Sequence, residues 1–327
     1  MDIAAFCKES RVLVIAGKGG VGKTTVAAAL ARMAADHGLS VLVVELEGKS
    51  GISAAFGRRG YLGYDESVLY RGAPGAGTGG AVRGRRLTPD DALLEYLADH
   101  GLKRVSKRLV RSGVVDVVAT AIPGIRDVLV LGKIKQLEQG RVADLVIVDA
   151  PATGHAMTFL TSASGLLDAA RSGPVRAQAA DVVEMLSDHS RCRVMLVTLP
   201  EEMPVSETVE AAYQLEDRVG VQLGPVVVNA CDEAPGDLGA SAAVAAAEVG
   251  VALTGTQVDA LEAARAFRRN RLELQTEQIG RLGRELPLPQ LRAPRISSPS
   301  IGPDELAHLS DALAAAVGGL TSEAATR

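Results

Sequence analysis

Short continuous apolar runs, four of them closed by a polar residue, recur along the chain: "VLVIA" from 12, "VLVVE" from 41, "LVIVD" from 145, "VMLVT" from 194 and "PVVVN" from 225. A strand with one face in water alternates, so unbroken apolar runs predict strands covered on both faces, as in a mostly parallel sheet. The segments between them have a helical period. "TTVAAALARMAADHG" puts Val26, Leu30, Met33 and Ala34 on one stripe and ends at Gly38, while the stretch from 259 predicts a long amphipathic helix with an arginine-rich, solvated outer face. The expected architecture is α/β, a central sheet flanked by helices. Residues 71–86, "RGAPGAGTGGAVRGRR", break the pattern and predict a flexible loop, and 321–327 predict a frayed tail. With no internal repeat and no linker, 1–327 reads as a single domain.

Composition narrows this picture. The chain has 327 residues, 47% of them apolar, enough for a sizeable core. A net charge of -4 gives no reason to expect nucleic acid, and the basic "RGRR" at 83–86 reads as part of the solvated loop. The 3 cysteines, Cys7, Cys192 and Cys231, are dispersed without a C-x-x-C, which argues for a reducing cytosol and against a disulfide framework or zinc site. No secretory pattern opens the sequence, and no apolar run reaches the ~18 residues of a membrane span.

Candidate chemistry gathers at the carboxyl ends of the predicted strands, where open α/β sheets bind ligands. "GKGGVGKTT", 17–25, fits two phosphate-binding patterns. Gly17, Gly19 and Gly22 satisfy the dinucleotide fingerprint, with Glu45 and Glu47 near the position of a ribose-binding acid. Gly17, Gly22, Lys23 and Thr24 satisfy the nucleoside triphosphate loop. Lys23 and Thr24 favour the triphosphate: a terminal phosphate needs a fixed ammonium, and its Mg²⁺ needs a hydroxyl ligand. The cradle is then Gly17, Gly19, Gly20, Val21, Gly22, Lys23, Thr24 and Thr25.

In "LVIVDAPATGH" a strand ends at Asp149, where a carboxylate would hold the Mg²⁺ with Thr24, and Gly154 brings a backbone N–H to a γ-phosphate as a switch. His155 reads equally as a helper or as a structural turn residue. In "VVVNACD", Asn229 suits a purine edge, and Asp232 has the spacing of a guanine-reading aspartate, with Ala230 in place of the expected lysine. GTP therefore stays open beside ATP.

These stretches together resemble the ArsA family, which includes the arsenite-pump ATPase and the ATPase that targets tail-anchored membrane proteins. "GKGGVGKTT" is similar to its deviant phosphate loop, "DAPATGH" to its second switch, "PEEMPVSET" at 200–208 to its P-E-x-x-S-x-x-E-T segment, and "LPLPQL" at 286–291, with Pro289, to its adenine-side loop. The resemblance implies a P-loop NTPase fold with a helical subdomain, here reduced, and an ATP- and Mg²⁺-dependent cytoplasmic dimer. It also implies that Lys18 reaches the partner's phosphates in trans, in the manner of an arginine finger. The first switch departs from the family: aligning "SAAF" with its S-D-A-F puts Glu47 where D-P-A-H supplies the water-positioning aspartate. A side chain one methylene longer implies slow turnover, since a misplacement near an ångström costs ~100-fold.

The switch is most like that of an actinobacterial subgroup of anion-transporting ATPases, whose members tend to be encoded beside a paralogue, so both homodimer and heterodimer are open. Arsenite-binding cysteines are absent, and the ~40 residues after Gly154 are too poor in methionine for a client groove and read as core helices. Three hypotheses stand: a dimeric ATPase using Lys18, Lys23, Glu47 and Asp149; a nucleotide-holding regulatory subunit; and, last, a dinucleotide-dependent oxidoreductase.

Overall fold

A computed structural model of the chain describes residues 1–46, 51–72, 80–99, 124–151, 153–233 and 238–320. All five apolar runs are strands: β1 (Val12–Ala16), β2 (Ser40–Leu46), β5 (Leu145–Asp149), β6 (Cys192–Thr198) and β7 (Val226–Cys231). Three more, β3 (Ser67–Arg71), β4 (Ala81–Leu87) and β8 (Gln290–Pro294), complete an 8-stranded sheet of order β3-β4-β2-β5-β1-β6-β7-β8. Among the described residues, only the β3–β4 pair is antiparallel.

The apolar runs are unbroken because successive residues enter opposite layers. Val12, Val14 and Ala16 pack with Leu131, Leu160 and Val182 of helices Ile125–Gln139, Thr153–Ala169 and Pro174–Ser187. Leu13 and Ile15 pack with Leu30 and Met33 of helix Lys23–Asp36 and with Leu309 and Leu313 of helix Pro303–Gly318. Helix Lys23–Asp36 stops where Gly38 takes a left-handed φ of 86°. Of the expected core helices after Gly154, Thr153–Ala169 and Pro174–Ser187 bury Phe159, Leu160, Ala163, Val182 and Met185.

The predicted loop at 71–86 needs correction. Residues 73–79 lie outside the described residues, but 81–87 form β4, paired along its whole length with β2. Two of its three arginines have partners. Arg83 meets Glu66 at 2.6 Å, and Arg85, 7% exposed, stacks 4.4 Å from the Tyr64 ring centroid. Gly84, which made the segment look like a loop, lies under Leu69 and Leu62: a Cβ there would lie 2.6 Å from Leu69 Cδ1, so these side chains would have to shift. The predicted tail, 321–327, also lies outside the described residues. No helix among the described residues is long and apolar enough to cross a membrane.

The predicted long helix spans Gly255–Glu285, opened by a capping box of Thr254 and Gln257. It buries only Gln278, Ile279 and Leu282. Its arginine face is not simply solvated, because Arg265 donates to the carbonyl of Leu238, and Arg268 and Arg271 turn to Asp232 at the end of β7.

Candidate functional site

The loop after β1 is pressed against its neighbours at two glycines, both at positive φ. Gly17 has φ 146°, and a Cβ there would lie 2.3 Å from the Val197 carbonyl oxygen; Gly22 has φ 90°, and its Cβ would lie 2.3 Å from Asn229 Nδ2. Helix Lys23–Asp36 then starts with no side-chain cap and no acid in its first turn. Its first N–H groups and the positive end of its dipole form an anion-binding position.

Three predicted residues converge there. Lys23 is 6% exposed, and its Nζ donates to the Lys18 carbonyl at 2.7 Å. Thr24 Oγ1 donates to Asp149 Oδ2 at 2.7 Å, and Asp149 is fully buried. Strand order makes this meeting possible: β5 lies between β2 and β1, so Asp149 is in register with Ile15 on one side and Glu45 on the other. In a dinucleotide fold β1 lies beside β2 instead. Glu45 is fully buried and accepts from the Ile52 N–H at 3.2 Å, which leaves it unsuited to a ribose. Topology and this burial dispose of the dinucleotide reading. A hydroxyl and a carboxylate in contact beside an anion cradle are hard oxygen donors of the kind Mg²⁺ takes, so the residues fit that ion.

Lys18, inside the glycines, pairs through Nζ with Glu207 of helix Glu202–Val219 in the same chain. Asn229 donates from Nδ2 to the Val21 carbonyl at 2.8 Å, so the candidate base-reading residue also braces the loop. Gly154 lies in the first turn of helix Thr153–Ala169, directly after β5. Glu47 lies outside the described residues.

Two expectations change. Pro289 precedes β8, and its carbonyl accepts from Val226 N at 2.8 Å at the amino end of β7. It is therefore at the wrong end of the strand for a ligand held at the carboxyl edge. The carboxyl end of β8 is Pro294, opposite Cys231, and the next segment begins with Arg295. Strand direction was the available signal: the ligand side of "QLRAP" is its carboxyl end, from Pro294 into Arg295.

Asp232 is not open to a guanine. Its side chain is 5% exposed and meets Arg295 at 2.8 Å, Arg271 at 3.3 Å and Arg268 at 3.5 Å, while Gln275 bonds its backbone N–H and carbonyl at 2.7 and 2.9 Å. Sequence reasoning missed these partners because they lie on helix Gly255–Glu285 and beyond the next strand, up to 63 residues along the chain. The three thiols, Cys7, Cys192 and Cys231, are free and buried. Burial pushes Cys7 and Cys192 up to about 12 and Cys231 to about 11.

A sequence profile of the CobQ/CobB/MinD/ParA nucleotide binding domain matches residues 12–228. ATPase BagA of Mycobacterium tuberculosis H37Rv is 39% identical over 226 residues, 67% of this chain and 64% of that protein. The arsenical pump-driving ATPase of Escherichia coli is 26% identical over 235 residues, 70% and 36% of the two chains. ATPase get3 of Schizosaccharomyces pombe is 30% identical over 148 residues, 45% and 42%. The matched regions thus span less than two thirds of these curated relatives.

Proposed function

The chain belongs to the CobQ/CobB/MinD/ParA family of nucleotide-binding domains, and from that premise we propose that it is a Mg²⁺-dependent, ArsA-type ATPase. The observation that carries this reading is the meeting of Lys23, Thr24 and Asp149 at one edge of the sheet. Lys23 exchanges the Lys18 carbonyl for the β- and γ-phosphate oxygens, while the backbone N–H groups of 17–25 cradle the tail. Thr24 and Asp149 hold the Mg²⁺, which when bound neutralises charge on the phosphate oxygens.

Glu47 orients the water that attacks the γ-phosphorus. The bond from that phosphorus to the bridging oxygen breaks, and ADP and phosphate leave. Gly154 senses the γ-phosphate through its N–H, and Asn229 reads the purine. The ion pairs on Asp232 favour ATP over GTP. In this reading 1–327 works as one domain in the cytosol, as a dimer in which Lys18 serves the partner's nucleotide. Turnover is slow because Glu47 replaces an aspartate.

A second reading, a nucleotide-holding subunit that leaves catalysis to a paralogue, is favoured by the cis pairing of Lys18 with Glu207. Phosphate release from wild type, Lys23→Ala and Glu47→Gln separates the two readings. A catalytic chain loses release in both variants, whereas a regulatory chain releases little alone and loses ATP binding only with Lys23→Ala. A thermal-shift comparison of ATP, GTP and NAD with and without Mg²⁺ tests the ligand: at 100 times Kd a bound nucleotide adds about 2.7 kcal/mol of stability.

A further inference from the structure

From the Lys18–Glu207 contact we infer that Glu207 is a positioning residue: it holds Lys18 in cis while the phosphate cradle is empty and gives it up to a polyphosphate. This inference rests on the proposed nucleotide reading. Lys18 is bound at both ends. Its carbonyl accepts from Lys23 Nζ at 2.7 Å, and its own Nζ is paired with Glu207. The two loop cations and one carboxylate are therefore linked, Glu207 to the Lys18 ammonium and the Lys18 carbonyl to Lys23, in the loop proposed to hold the phosphate tail.

Glu207 is fixed there by its helix. Pro204, Val205, Thr208, Ala211 and Ala212 bury the core stripe of Glu202–Val219, and the Thr208 hydroxyl is tied back to the Pro204 carbonyl at 2.8 Å. Glu207 then stands on the flank of that stripe, with Glu201 and Glu202 at the same helix end. Without Glu207, Lys18 would keep its glycine-rich backbone but lose the contact that selects its direction.

The pair is built to exchange. Its side chains are 38% and 33% exposed, and ion pairs so open to water are weak. A triphosphate tail presents several negative charges to the same ammonium, so it competes successfully. Binding must then displace Glu207 from Lys18, and the carboxylate acts as a competitor of the nucleotide. Because Lys18 serves the partner's nucleotide in the proposed dimer, and a γ-phosphate adds charge there, the competition weighs more on ATP than on ADP.

The test is a set of Mg-ATP and Mg-ADP binding titrations on wild type, Glu207→Gln, Glu207→Asp, Lys18→Ala and the Glu207→Gln/Lys18→Ala double variant. Thermal unfolding checks that each is folded. Glu207→Gln is expected to tighten Mg-ATP about 2- to 5-fold, the range of a weak ion pair, and Mg-ADP less. Glu207→Asp restores wild-type affinity at least in part, and Glu207→Gln has no effect in the Lys18→Ala background. Equal effects with and without Lys18, or unchanged ATP affinity in Glu207→Gln, overturn the inference while leaving the nucleotide reading intact. Failure of wild type to bind either nucleotide sinks both.

Discussion

Thr24 and Asp149 are 125 residues apart in sequence, yet the threonine hydroxyl donates to the carboxylate at 2.7 Å, joining the first turn of the helix after β1 to the end of β5. If this pair holds Mg²⁺, Asp149→Asn keeps an oxygen acceptor for Thr24 but removes the charge that attracts the ion. Phosphate release at saturating ATP should fall by at least ~100-fold across a Mg²⁺ titration, the scale of losing several kcal/mol of charge stabilisation. Retained wild-type release would remove Asp149 from the metal site.

Gly17 offers a test of the loop that does not depend on catalysis. A Cβ there would meet the Val197 carbonyl oxygen at 2.3 Å at a φ of 146°. Backbone atoms cannot rotate out of the way, so Gly17→Ala should cost ~2–4 kcal/mol in urea unfolding. A loss under ~0.5 kcal/mol, the range of a neutral surface change, would mean the loop is looser than described.

Asp232 is held by three arginines, so its replacement should act on stability and not on base choice. Replacing it with Asn leaves Arg268, Arg271 and Arg295 without their shared counter-charge, and each is only partly exposed. The expected cost is ~1–3 kcal/mol, discounted for solvent at the arginines. The ratio of ATP to GTP affinity should stay that of wild type. A rise of that ratio in the variant, from a selective loss of GTP affinity, would restore the guanine-reading role.

The three thiols should be silent in the folded protein. Cys7, Cys192 and Cys231 are buried, with burial the largest cause of their raised pKa values. Iodoacetamide at pH 8 should label none of them natively and all three in urea, and arsenite should not raise the unfolding temperature. Rapid native labelling of any one would contradict its packing.

A pH-dependent contribution sits where β2 begins. Asp144 accepts from the Ser40 hydroxyl at 2.6 Å and from its backbone N–H at 2.8 Å, and these bonds, the hydroxyl first, hold its carboxyl below the usual range. A lowered folded-state pKa stabilises above the ordinary carboxylate value, and the gain is lost as pH falls through the folded value. Ser40→Ala should therefore destabilise more at pH 7 than once pH is well below ~3.9, where only the bond from the Asp144 N–H to the Ser40 hydroxyl is left to lose, read from urea midpoints at each pH. A penalty independent of pH would assign the effect to packing.

Sequence alone determined the features whose causes are local. Unbroken apolar runs announced β1, β2, β5, β6 and β7, because both faces of a buried strand must be apolar. Glycines at Gly17 and Gly22 and the pair Lys23–Thr24 announced the phosphate loop, because few other residues adopt that backbone or supply that chemistry. Tertiary structure alone decided which partners these residues meet. It placed β5 between β1 and β2, made a strand of the arginine-rich β4 by stacking and pairing its charges, and put Pro289 at the amino end of β8. It also gave Lys18 to Glu207 and Asp232 to three arginines. Such contacts join residues as many as 189 positions apart for Lys18 and Glu207, and neither periodicity nor motif spacing carries information across that distance.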